Sequence, residues 1–227
     1  MGSSKIREKH GKGGGRGAKE ILVPGLQEIA NIDANSTDIF SEVLEATSLD
    51  SQVQSIRSLL KTVTPEKYKI VSVVIVKWYF NCSGGLKKVI SNSLNTVKEP
   101  ELERLISEEI ALHVKTVTRE TRSQASAQTV LQLLAGFDNF PLLERVVLEE
   151  RTAVVRFVTS VLEELVERLT GEKVSPVVKA ELSVEAGSSV RLLVQVVRSS
   201  PAMSEVLRSV SSLVYRMVCH RERQFQH

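Results

Sequence analysis

Ile70-Val71-Ser72-Val73-Val74-Ile75-Val76-Lys77-Trp78-Tyr79-Phe80 is the stretch whose reading decides the fold. Six of its first seven residues are Val or Ile, the composition of a buried strand. A short apolar run cannot be assigned from composition alone, so length and flanks decide. Thr64-Pro65 stands just upstream as an N-cap followed by a first helical residue, where the missing proline N–H costs nothing. Gly84-Gly85 follows as a stop. Measured from Pro65 the segment is long for a strand, and its neighbours are helical. The expectation is a buried helix.

The flanking segments carry the three- and four-residue apolar spacing of amphipathic helices. Ser36-Thr37-Asp38 is placed to cap a short helix ending near Ala46, and Val53, Ile56, Leu59 and Leu60 line a helix over residues 51–61. Downstream, Leu86, Val89, Ile90, Leu94 and Val97 share one face. Glu99-Pro100 opens a helix whose line is Leu102, Leu105, Ile106, Ile110, His113 and Val117. A helix over residues 123–137 follows, and Phe140-Pro141 opens a long one ending at Gly171. Its stripe is Leu143, Val147, Val154, Val158, Val161, Leu165 and Leu169, with Arg156, Glu163 and Glu167 facing out. Ser175-Pro176 opens the next, with Val178, Leu182, Ala186, Val190, Leu193 and Val197 as its buried line and Gly187 as a kink or a close helix contact. Ser200-Pro201 begins the last.

Pro65, Pro100, Pro141, Pro176 and Pro201 thus each open a helix, at separations of 35, 41, 35 and 25 residues. Helical-hairpin repeats recur every ~34–47 residues. The expected fold is all-α: an armadillo- or HEAT-like solenoid of antiparallel helix pairs, about eight helices in all, with a compact bundle as the rival.

Composition bounds the function. The 227 residues are 42% hydrophobic and 25% charged, as in a globular chain. Aromatics are 4%, too few for a base-stacking sheet. The net charge of +3 is uneven: residues 1–20 hold six basic and two acidic side chains, and the remainder holds 24 against 25. Lys5, Arg7, Lys9, Lys12, Arg16 and Lys19 lie among Gly11, Gly13, Gly14, Gly15 and Gly17, a run that costs too much backbone entropy to order alone. Residues 1–35 are therefore expected to be a disordered basic leader and 36–227 the helical body. Such a tail contacts RNA weakly, through phosphate, with strong salt dependence. The first residues lack the apolar core of a signal peptide, Ile6 replaces the Ser or Thr of a myristoylation signal, and no apolar run approaches ~20 residues. The expected compartment is the cytosol or nucleus, with no membrane span.

Catalytic chemistry is not legible. The Gly11–Gly17 run lacks the Lys-Ser/Thr of a phosphate loop, and no zinc motif is present. His113 falls on an apolar helix face without a placed partner, which marks a structural histidine. Cys82 is expected to fill the core and not to pair with Cys219. Glu149-Glu150 and Glu163-Glu164 diverge by about 100° on a helix and cannot share a substrate. Lys87-Lys88, just inside a helix N-terminus, sit unfavourably against its dipole and are candidates for a partner or phosphate contact. No catalytic residue, metal or cofactor is expected.

Gly85-Leu86-Lys87-Lys88-Val89-Ile90-Ser91-Asn92-Ser93-Leu94-Asn95 resembles a segment near the N-terminus of the thyroid adenoma-associated protein (THADA) family. Ser189-Val190-Arg191-Leu192-Leu193-Val194-Gln195 fits the arrangement, and the likeness runs from about Leu49 to Arg198. The resemblance implies an armadillo-like solenoid corresponding to the N-terminal part of a much larger chain. It further implies a non-enzymatic scaffold similar to the fungal non-catalytic partner of a tRNA ribose methyltransferase, which supports 2′-O-methylation in the anticodon loop. The implied partner is that methyltransferase, and no site residue is carried over. The alternative is a helical protein-interaction module unrelated to tRNA.

Overall fold

The computed structural model describes residues 26–27, 31–33, 35–82, 84–119, 125–170, 174–198, 208 and 210–215. Among these the regular structure is entirely helical, and the all-α expectation holds. The helices are α1 (Thr37–Leu44), α2 (Leu49–Thr62), α3 (Tyr68–Asn81), α4 (Gly84–Leu94), α5 (Pro100–Val117), α6 (Ala125–Asn139), α7 (Pro141–Glu149), α8 (Arg151–Thr170) and α9 (Pro176–Arg198), with a 3-10 turn at Pro65–Lys67 leading into α3. Pro100, Pro141 and Pro176 each occupy the first helical position, as their spacing predicts. Of the expected helix after Pro201, residues 208 and 210–215 are described, and they are helical.

The Val/Ile run is helix α3, and its burial explains the ambiguity. Nine of its 14 residues are buried, over most of its circumference, and Ile70 and Val73 stand on the face that is not. Apolar residues on both faces blur the amphipathic period, and packing overrides the weak helix propensity of Val and Ile. Gly84-Gly85 does not stop this helix. Cys82, in extended conformation, closes it, its N–H bonding the Trp78 carbonyl at 2.8 Å, and Gly84 begins α4.

Other starts differ in chemistry. Ser36 makes no side-chain cap; the Asp33 carboxylate accepts from the Ser36 N–H at 2.8 Å instead. The second helix starts two residues before Ser51, because Ser48 and Ser51 form a reciprocal capping box. Thr64 makes no cap to the backbone of its 3-10 turn.

The long helix expected from Pro141 to Gly171 is two helices, which raises the number above the expected eight. Glu150 (φ −89°, ψ 16°) ends α7 and its carbonyl accepts from Ala153 and Val154 at the start of α8. No Pro or Gly marks this break. Docking makes it: α7 packs on α5 and α6, while α8 packs on α9. All seven residues of the expected stripe are buried, but Val155, Phe157, Leu162 and Val166 are buried too, because α8 is covered on two sides.

Two further expectations fail. Val178 is exposed and not part of the α9 core line, and Pro176, Val177 and Ala180 around it in the first turns of α9 are exposed too; Leu182, Ala186, Leu193 and Val197 are buried. Gly187 marks neither a kink nor a contact: α9 runs through it, and a Cβ built there meets nothing within 4 Å. Gly187→Ala should therefore stabilise the fold by about 1 kcal/mol, the difference in helix propensity. A urea unfolding curve checks this.

Within the segment read as a leader, Leu26 and Ile32 are buried in the core. The Leu26 carbonyl accepts from the Trp78 indole at 2.8 Å, and Asn31, at φ 49°, takes the left-handed turn that brings the chain round. These residues thus belong to the helical body. Residues 1–25, and with them the expected disorder of the basic leader, lie outside the described residues.

Candidate functional site

The junction of α3 and α4 gathers four titratable side chains. Tyr79 lies in the last turn of α3, packed against Phe80 (ring centroids 5.1 Å) and Phe140 (4.9 Å). The turn at Cys82 points its thiol into the core. Lys87 then reaches back from the first turns of α4, its Nζ 4.8 Å from the centre of the Tyr79 ring. From α5, the His113 imidazole stacks on Phe80 at 3.7 Å and 21°. Gln132 of α6 donates to the Phe80 carbonyl at 3.2 Å, satisfying one of the open carbonyls at the end of α3.

All four groups are pushed toward their neutral forms. Burial raises the Tyr79 phenol to about 12 and the Cys82 thiol to about 11, the latter only partly opposed by the Lys87 charge. Burial lowers Lys87 below the usual lysine range, and burial together with the Lys87 cation lowers His113 to about 4. At neutral pH the cluster is a thiol, a phenol and a neutral imidazole beside one cation. A nucleophilic cysteine needs the opposite arrangement, a thiolate favoured by its surroundings. The structural assignment of His113 and Cys82 fits this geometry.

His113 gives a pH signature. The unfolded side chain takes up a proton near 6.5, the folded one only near 4. Between these values the unfolded state binds more protons, so stability falls as pH drops from about 6.5 to about 4. His113→Gln should flatten the dependence of Tm on pH across that window; equal slopes in both proteins would show that His113 does not contribute.

Of the residues singled out as nucleic-acid contacts, Lys5, Arg7, Lys9, Lys12, Arg16 and Lys19 lie outside the described residues. Lys87 and Lys88 are adjacent but do not act alike: Lys87 is half-buried over Tyr79, and Lys88 is exposed. Lys87 makes no ion pair with a carboxylate among the described residues.

The outer surface of α3, α5 and α7 carries ion pairs between helices. Lys69 pairs with Glu109, Arg145 with Glu103 at 3.1 Å, and Lys115 with Glu150 at 3.0 Å. Arg145 also donates to the Ser107 hydroxyl at 2.9 Å. Being partly exposed, each pair contributes about 0–1 kcal/mol; they orient the helices more than they stabilise them. A shallow cleft beside Arg145 is lined by Pro141, Glu144, Leu148, Glu149 and Arg151, where charges of both signs alternate. Among the described residues no group of three or more His, Cys, Asp or Glu could hold a metal, and no helix is long and apolar enough to cross a membrane. No protein-family model, curated protein or solved structure matches this chain.

Proposed function

We propose that this chain is a non-enzymatic helical scaffold, an armadillo- or HEAT-like solenoid segment that holds a protein partner. The observation that carries the reading is the order of helix packing. The substantial interfaces are α1–α2, α2–α4, α3–α4, α3–α5, α5–α7, α6–α7, α6–α8, α6–α9, α7–α8 and α8–α9. Among the described residues no substantial interface joins helices more than three apart along the chain, and α1 and α2 share none with α8 or α9. Stacked helical pairs have this near-neighbour pattern, whereas a closed bundle joins its first and last helices.

The resemblance in residues 85–95 makes a tRNA ribose methyltransferase the partner to try first. In this reading the chain supplies no methyl-transfer chemistry and binds no S-adenosylmethionine. RNA contact comes from the cations of residues 1–20 and from Lys88 on the body, acting on phosphate and not on bases. Lys87, held on the Tyr79 ring, contributes less.

The test mixes the full-length chain with the catalytic subunit of such a methyltransferase. A co-eluting complex with increased anticodon-loop methylation is the expected result. A stable complex without any change in methylation would favour a scaffold unrelated to tRNA. Methyl transfer by the chain alone would overturn the reading. So would salt-resistant, tRNA-selective binding after neutralising Lys5, Arg7, Lys9, Lys12, Arg16 and Lys19, because the helical body would then be the reader.

A further inference from the structure

The charges of this chain fall in blocks. Residues 1–20 hold six basic and two acidic side chains, whereas residues 21–56 hold six acidic side chains and no Lys or Arg. Helix α1 lies inside the acidic block. Asp38, Glu42 and Glu45 follow at steps of four and three and so share one face, opposite the Phe40 and Val43 that enter the core. From Thr37 to Glu45 these three are the exposed residues. Glu42 and Glu45 stand at the C-terminal end, where the helix dipole favours cations, yet no basic residue occupies the last turn. The cations of α2 and α3 do not answer them. Lys69 pairs with Glu109, and Arg57, Lys61 and Lys77 form no ion pair with these three carboxylates. Leu26 fixes where the basic block joins the body. Its carbonyl bonds the Trp78 indole at 2.8 Å, and Phe40 of α1 packs on the same indole at 5.3 Å. The chain preceding Leu26 therefore departs beside α1.

We propose that residues 1–20 dock on the outer face of α1 of the same chain, their Lys and Arg side chains set against Asp38, Glu42 and Glu45. Lys19 is seven residues from Leu26, a reach of up to ~24 Å, and α1 is about 12 Å long. Arg16 and Lys19 thus reach every carboxylate of the face. A tether this short sets an effective concentration in the millimolar range, so weak pairs suffice and no second copy is needed. Each pair is exposed and screened by salt, so the contact is a set of exchanging pairs that loosens as ionic strength rises. Its consequence rests on the reading that these cations contact RNA: phosphate must displace α1 to reach them, and α1 lowers the affinity of the tail.

Carbodiimide cross-linking of the full-length chain at low salt tests the docking. The reagent condenses a lysine amine with a carboxylate in contact with it into an amide, and mass spectrometry locates the product. Lys5, Lys9, Lys12 or Lys19 should be joined to Asp38, Glu42 or Glu45, with the Lys69–Glu109 pair of the body as internal standard. In a mixture of isotope-labelled and unlabelled protein the new links should stay within one chain, and high salt should remove them. A chain carrying Asp38→Asn, Glu42→Gln and Glu45→Gln should lose them and bind a short oligouridine about fivefold more tightly, as three exposed ion pairs imply. Glu163→Gln, Glu164→Gln and Glu167→Gln, on the exposed side of α8, make the same change in net charge and should leave the links in place and the affinity within about twofold. Both variants should keep the native helical circular dichroism. Absence of links to α1 while Lys69 is joined to Glu109, links mainly between chains, or an equal gain in affinity from the α8 variant would each overturn the proposal. Links to α1 without oligouridine binding by any of the three proteins would uphold the docking and overturn the reading of residues 1–20 as an RNA contact.

Discussion

Trp78→Ala is expected to destabilise the fold by about 4 kcal/mol, the upper range for removing a wholly buried aromatic side chain. Three losses add. The indole is fully buried, so its removal leaves a cavity between α3 and α1. Its edge-on contact with Phe40, at 5.3 Å and 75°, contributes about 0.5–1.5 kcal/mol beyond burial. Its N–H bonds the Leu26 carbonyl at 2.8 Å, and that carbonyl would lose its buried partner. Trp78→Phe isolates the last term and should cost less than half as much. Domains of this kind have a total stability of about 5–15 kcal/mol, so the Ala variant should sit near its unfolding threshold at 37 °C. Urea denaturation followed by circular dichroism gives the values. A cost below about 1 kcal/mol would mean that Leu26 and Phe40 do not pack on Trp78 as described.

Gly136→Leu should be the next most damaging change, at about 3 kcal/mol. Gly136 is on α6 where it crosses α7 and α3. A Cβ at this position would stand 2.1 Å from Cδ2 of Leu143 and 2.8 Å from the Tyr79 hydroxyl. The Leu143 methyl group is the end of a flexible side chain, but Leu143 is fully buried and has no free volume to turn into. Helix α6 must therefore move away from α7, opening contacts on both sides. Even Gly136→Ala should destabilise, although alanine is the better helix former. The contrast with Gly187→Ala is the decisive comparison: the same substitution, within a helix each time, with opposite sign. If both raise the melting temperature, the α6–α7 crossing is looser than its geometry indicates.

The candidate site was legible only in its parts. His113 stood out as a polar residue on an apolar face, Cys82 as a thiol beside two glycines, and Lys87-Lys88 as cations at the wrong end of a helix. That the first three residues meet around Tyr79 and Phe80 is not a property of any local pattern: His113 is more than thirty residues from Cys82 in the chain. The shifts follow from that meeting, because they depend on burial and on the Lys87 charge. The sequence carries one signal of the contact: Tyr79 stands eight residues before Lys87, across a helix–turn–helix that brings the cation over the ring.

What the sequence by itself determined is the set of helices. Proline at first positions and the three- and four-residue spacing act within one or two turns, so a linear reading finds them; the Ser48–Ser51 capping box, equally local, moved the start of α2 ahead of the expected Ser51. It also found the inward stripe of α8 and the outward Glu163 and Glu167. Only the tertiary structure decided which faces meet. It broke the helix at Glu150, where no local residue asks for a break, because α7 and α8 dock on different neighbours. It drew Leu26 onto Trp78 and buried most of α3, whose remaining face also carries Ile70 and Val73, so that no clear period identifies the helix. It also separated two glycines that look alike in the sequence, one wedged against Leu143 and one open to solvent. The physical reason is range. Backbone preference is set by residues about four apart, whereas burial depends on surfaces supplied by segments tens of residues away.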